Sequence, residues 1–226
     1  MALNMGSARV DHLVVTACSL EEGVSWCEAT LGVTPGPGGR HDFMGTHNRL
    51  LAIGGDAFPD AYLEIIAIDP QAPAPAHPRW FDLDSPALRQ RIATHGPQLT
   101  HFVARVPDVA GAARALRALG QEPGEVRPAS RMTPRGELRW QITVRDDGAR
   151  LFDGALPTLI EWGPVHPTQD MAPCGIRLES LQAHHPAHEK LAAAFMAIGL
   201  GDVQTHAGEP GLAAALHTPK GRVTLG

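Results

Sequence analysis

The chain is short of several things, and each shortage excludes something. No apolar run in its 226 residues approaches the roughly 20 needed to span a bilayer. "MALNMGSARV" has neither the charged start nor the apolar stretch of a secretory leader, so a cytoplasmic protein without a membrane partner is expected. Lysine and arginine form no stripe and the formal net charge is −5, which argues against a nucleic-acid partner. The three cysteines, Cys18, Cys27 and Cys174, stand at spacings unlike any metal or redox motif and read as packing thiols. The chain does have apolar substance: 43% hydrophobic residues are enough for the core of one domain or two small ones.

That substance is arranged twice over. "HLVVTACSLEEGVSWCEATLG" from His12 lines up with "HFVARVPDVAGAARALRALG" from His101. Each is an alternating strand, a helix-start signal and an apolar helix ending in glycine. Ser19 and Glu22 have the spacing of a capping box, and Asp108 after Pro107 is the N-cap of the second helix. Turn-rich segments and further strands follow in both copies. "PGPGGRH" leads into "GTHNRLLAIG" and "AYLEIIAID"; "PASRMTPRG" leads into "ELRWQITVRDD" and "LPTLIEWG". Both halves read βαβββ.

The expected class is therefore α+β, with paired βαβββ modules at residues 1–76 and 99–170. Between them lies a proline-rich connector, residues 77–98, with a short helix around "SPALRQRIAT". A partial third module, βαββ, is expected over residues 171–226, with its last strand short or missing. Ser180 stands there where the other copies have histidine, so the histidine is optional for building the strand.

Strand alternation assigns faces. Leu13, Val15 and Ala17 read as the helix-facing side of the first strand, and His12, Val14 and Thr16 as the other; His101 has the same parity in the second copy. The closing strands "YLEIIA" and "TLIEWG" each hold one carboxylate, Glu64 and Glu161, read on the face away from the helices. A carboxylate buried there without a partner costs several kcal/mol, so each must meet solvent, a cation or a donor. Two imidazoles and two carboxylates, His12, Glu64, His101 and Glu161, suit a divalent metal with water in the remaining positions.

Around this set, "GRHDFMGTHN" places Arg40, His41, His47 and Asn48 at the expected cleft rim, with Asn48 the preferred polar contact to a small-molecule substrate. On "ELRWQITV", Leu138, Trp140, Ile142 and Val144 read as the helix-facing side, which leaves Arg139 and Gln141 toward the cleft. "PGPGG" has no following lysine or helix start and reads as a turn rather than a phosphate cradle. Pro186 breaks the spacing that would make His184 and His188 a helical metal pair.

"DHLVVTACSLEE", "GTHNRLLAIG", "YLEIIAID", "THFVARVPDV" and "LPTLIEWG" together resemble the vicinal-oxygen-chelate superfamily, and within it the glyoxalase-like domain proteins. The resemblance covers about residues 9–165. It implies an open, cupped sheet with helices outside and a metal in the cleft, held by His12, Glu64, His101 and Glu161. It further implies a divalent-metal enzyme (nickel, cobalt, zinc, manganese or iron) moving a proton next to a carbonyl, as an isomerase or lyase, with Glu161 or Glu64 as the base. An extradiol-type iron dioxygenase and a metal-free small-molecule-binding protein stand as alternatives. No basic cluster matches a glutathione carboxylate site. Relatives build the cleft within one chain or across a dimer, which leaves a homodimer open.

Overall fold

The signals at the helix ends are realised as read. In the computed structural model, which describes residues 7–133 and 136–226, α1 (Leu20–Leu31) is capped by the Ser19 hydroxyl, which accepts from the Glu22 N–H. It stops at Gly32 in the left-handed region. Asp108 caps α3 (Val109–Ala118) by accepting from the Gly111 N–H. The connector helix α2 (Pro86–His95) begins behind Ser85, with proline in its first turn. The first six residues and the turn read at Pro134 lie outside the described residues.

The strands are β1 (Arg9–Thr16), β2 (Gly36–His41), β3 (Thr46–Ala52) and β4 (Tyr62–Ile68) in the first half. The second half has β5 (Gln98–Arg105), β6 (Glu125–Thr133), β7 (Gly136–Val144) and β8 (Thr158–Trp162). They form one eight-stranded curled sheet in the order β2-β3-β4-β1-β5-β8-β7-β6. In each half the first strand runs parallel to the last, β1 with β4 and β5 with β8, and the halves join antiparallel through β1 and β5. Both stretches read as turn-rich, "PGPGGRH" and "PASRMTPRG", are largely strand. They are the two edges of the sheet, where glycine and proline are tolerated because only one side of the strand is hydrogen-bonded.

The C-terminal unit has β9 (Arg177–His184), α4 (His188–Ile198), β10 (Val203–His206), β11 (Gly211–Thr218) and β12 (Gly221–Leu225). The strand read as short or missing is β12. The unit makes its own sheet, β10-β9-β11-β12, in which β9 pairs parallel with the next strand rather than with the last. Ser180 is thus equivalent to His12 only through the strand and helix, not through the whole module. This sheet covers the helix side of the central one. Leu13, Phe102, Leu159, Leu181, Phe195 and Leu216 belong to a single buried apolar cluster, and the Phe102 and Phe195 rings meet edge to face at 6.2 Å.

A second core fills the inside of the cup. Val14, Ile66, Val103, Ile142, Val144 and Ile160 face inward, and the connector drops Trp80 and Phe81 onto them as a stacked pair with ring centres 5.2 Å apart. Phe81 and Asp82 take left-handed backbone conformations to make this turn. Asp82 is held by Arg150, whose Nε donates at 2.9 Å, and by its own N–H to the Gly148 carbonyl. The connector is therefore also a plug.

Candidate active site

The site begins at an irregularity in β1. Val10 opposes Ala104 and His12 opposes Val103, so one residue, Asp11, is extra on this strand. Such a bulge re-aims a side chain. Strict alternation would send Asp11 toward the helices with Leu13. Instead its carboxylate, completely buried, accepts from His12 Nδ1 at 2.7 Å on one oxygen and from Trp162 Nε1 at 2.9 Å and His166 Nε2 at 3.0 Å on the other. Burial alone would push this carboxyl up. The hydrogen bonds from His12 and His166, with the charge of both rings, outweigh it and hold Asp11 well below the usual carboxylate range.

With Nδ1–H committed to Asp11, His12 turns Nε2 toward Glu64, 3.7 Å from Oε2. Its ring is stacked on Tyr62 at 4.4 Å, the residue beside it in the β1–β4 register. The other Glu64 oxygen accepts from Asn48 Nδ2 at 2.5 Å, and Asn48 Oδ1 accepts from the Gly39 N–H at 2.7 Å. His41 Nε2 lies 3.4 Å from Asn48 Nδ2 and 4.0 Å from Glu64 Oε1. Burial is the main reason the His41 pKa falls to about 4, so His41 is a neutral acceptor near pH 7. These groups surround a cavity of about 40 Å³, room for a few waters. The only tyrosine of the chain, Tyr62, lines it, as do three of the four tryptophans, Trp80, Trp140 and Trp162.

The four expected metal donors do not converge. His12 and Glu64 meet; His101 and Glu161 lie elsewhere. His101 shares the inward face, but the Trp80–Phe81 plug stands between, lining the His12 cavity on one side and the His101 pocket on the other. His101 Nδ1–H donates to the Gly154 carbonyl at 2.9 Å, and Nε2 accepts from the Thr158 N–H and hydroxyl at 3.2 and 3.0 Å. Burial, then the charge of Arg150, lowers its pKa to about 3. Both ring nitrogens, one as donor and one as acceptor, are spent.

Glu161 is turned outward. Ile160 and Trp162 face the cup, and Glu161 Oε2 accepts from the Val109 N–H at the start of α3. The register explains the misplacement. Glu64 pairs with Val14, two residues after His12; the residue paired with Val103, two after His101, is Thr158. Threonine, not Glu161, is the second-half counterpart of Glu64, and a neutral hydroxyl is a poor divalent-metal ligand. Among the described residues no three His, Cys, Asp or Glu side chains are grouped to hold a metal ion. The donor set therefore does not fit the four-ligand metal that the resemblance implied.

The rim residues also divide. Asn48 is inside, orienting Glu64. Arg40 pairs with Asp69 at 2.6 Å and shares an outer groove with His47 at the start of α1, away from the cavity. On β7 the apolar face is the inner one, because the plug makes the cup a core; Arg139 and Gln141 are on the solvent side, with Arg139 paired to Glu137. The apolar pattern and the repeat do not single out Asp11, Tyr62, Trp162 or His166. An aspartate inside an apolar strand, "RVDHLVV", was the available signal for the first.

A model of the glyoxalase-like domain family matches residues 10–199. The chain belongs to this family. Its fold is that of a hypothetical protein from Staphylococcus aureus, with a TM-score of 0.60 at 13% identity over 90% of this chain and 87% of that one. Methylmalonyl-CoA epimerase from Mycobacterium tuberculosis is similar over 73% of this chain and 93% of its own, at 19% identity and a TM-score of 0.40. The Streptomyces coelicolor epimerase in complex with 2-nitronate-propionyl-CoA gives 18% identity and 0.43 over 71% and 99%. No curated protein matches the chain. Among the described residues no helix is long and apolar enough to cross a membrane.

Proposed function

We propose that this glyoxalase-like protein is an enzyme that moves a proton at a carbon next to a carbonyl of a small molecule, as an isomerase or lyase. Its acid–base pair is His12 and Glu64. The observation that carries the reading is the buried line Asp11, His12, Glu64, Asn48, of which the last three line one wall of an aromatic-lined cavity and Asp11 stands behind His12. Asp11 fixes the His12 tautomer with Nε2 inward, and Asn48 fixes the Glu64 carboxylate. The 3.7 Å between Nε2 and Oε2 is too long for a hydrogen bond, which suits two groups that address the same substrate atom or its neighbours.

No step is routed through a divalent metal, because His101 is consumed by Gly154 and Thr158 and Glu161 faces outward. The iron-dioxygenase alternative draws on the same donors and loses support with them. A metal-free binding protein remains the second reading, supported by the plug that keeps His101 out of the cavity.

Deuterium uptake next to the carbonyl, followed by proton NMR for a panel of small ketones, aldehydes and oxo acids in the presence of a chelator, separates the readings. The wild-type protein is expected to accelerate exchange in at least one of them, and His12→Gln or Glu64→Gln to lose about a hundredfold or more of that rate. If no compound exchanges faster with the protein, the enzyme reading fails and the binding reading takes its place.

A further inference from the structure

One charged group at the cavity has no role in the acid–base pair. Arg131, on the edge strand β6, is the only lysine or arginine among the described lining residues, and it is half-buried. Its guanidinium lies across from the opposite edge of the sheet, against Gly39 on β2; a methyl group at Gly39 would come within 2.3 Å of Arg131 Nη1. Its charge is felt by His41 and Tyr62. Among the described residues its side chain has no carboxylate partner and no hydrogen bond, although its backbone pairs with Leu138 on β7. Arg40, Arg79, Arg117, Arg139, Arg145 and Arg150 each have an ion pair within 3.0 Å.

The surrounding charges give that freedom a direction. Asp11 is satisfied by three donors, so its charge is spoken for. His41 is neutral. Glu64 remains, and a cavity holding one carboxylate and no cation would repel an anion. A guanidinium with its fork unoccupied matches the two oxygens of a planar carboxylate. The indoles of Trp80, Trp140 and Trp162 with the Tyr62 ring offer flat walls, and the small volume admits only a short molecule.

We propose that Arg131 is the anion-recognition residue of this cavity and that its ligand is a short, flat carboxylate bearing an enolisable carbonyl. This rests on the proposed proton-transfer reading for the carbonyl, though not for the carboxylate. Arg131 grips the carboxylate, which leaves the carbon beside the carbonyl to His12 and Glu64. As the proton passes from carbon to Glu64 or His12, the C–H electron pair becomes the carbon–carbon π bond of the enolate and the carbonyl π pair moves onto oxygen; return of the proton to carbon restores the ketone.

The test is tryptophan fluorescence, since three of the four indoles line the cavity. Pyruvate and its neutral amide, pyruvamide, are titrated into wild type, Arg131→Met and Arg131→Lys, each first checked for an unchanged melting temperature. Wild type is expected to bind pyruvate about tenfold to a hundredfold more tightly than pyruvamide. The methionine variant loses that preference while its affinity for pyruvamide stays within about twofold, and lysine recovers part of it. Equal affinities in wild type, no saturable response to either probe, or a preference that survives in Arg131→Met each overturns the proposal. The same titration in His12→Gln keeps the two ideas apart. Charge-selective binding without deuterium exchange in any variant defeats the proton-transfer reading alone, and exchange without charge selectivity defeats the role of Arg131 alone.

Discussion

At the scale of the residue, the site turns on Asp11. A buried carboxylate with three donors is fully satisfied, and removing its charge leaves imidazole and indole N–H groups facing an amide that can accept but also presents donors of its own. Asp11→Asn is expected to cost about 2–4 kcal/mol, read as a lower urea midpoint, and to slow any exchange because the His12 tautomer is no longer fixed. An unchanged midpoint would show that the three bonds contribute nothing to stability. His12 and Glu64 were legible from alternation alone, because β4 is regular and β1 is regular beyond His12 through Val14. Asp11 was not, since a bulge adds a residue without leaving a mark in the apolar pattern. Glu161 is not legible in this way, because the two closing strands match in sequence at their glutamates, whereas hydrogen-bonded register puts Thr158 opposite Val103.

At the scale of the element, the edge strand β2 positions Asn48 through its backbone. The register of β2 against β3 slips between Pro37 and Arg40, and a Cβ at Gly38 would sit 2.1 Å from the Asn48 carbonyl oxygen. Backbone cannot step aside as a side-chain tip can. Gly38→Ala is therefore expected to lower the melting temperature by several degrees, the shift that about 1–2 kcal/mol produces in a domain of this size. It should also weaken ligand binding, because Asn48 moves and Glu64 with it; an alanine variant as stable as wild type would show that β2 can separate from β3 at no cost. The glycines in "PGPGGRH" read as a turn in the sequence. Their use is close approach of two strands, which composition does not distinguish from a turn. The helices were easier to read because their caps are local, a hydroxyl or carboxylate three residues from the N–H that it accepts.

At the scale of the whole molecule, the two buried histidines tie stability to pH. His41 and His101 titrate near 4 and near 3 in the folded chain against an ordinary 6.5, so below 6.5 the unfolded chain takes up protons that the folded one refuses. Stability is complete above about 6.5 and is lost progressively as the pH falls toward 4 and then 3. The slope approaches about 1.4 kcal/mol per pH unit for each histidine within that window. Urea midpoints taken between pH 7 and pH 4 are expected to fall steadily, and less steeply in His101→Gln; a flat profile would mean that both rings accept protons in the folded state. The paired modules and their cupped sheet were visible as an internal repeat. The strand order of the C-terminal sheet was not, because a repeat in sequence reports strand and helix but not which strand each one joins.

The closeness of Arg131 to Gly39 also bears on the two edges of the sheet. A sheet of eight strands has two free borders, and free borders recruit strands from other copies. Here the curl brings the borders toward one another. Pro37 and Pro128 each remove an N–H from them, and a guanidinium spans the space between. A variant that loses this contact is therefore expected to leave both borders more open to pairing with other copies, which light scattering would register as larger species.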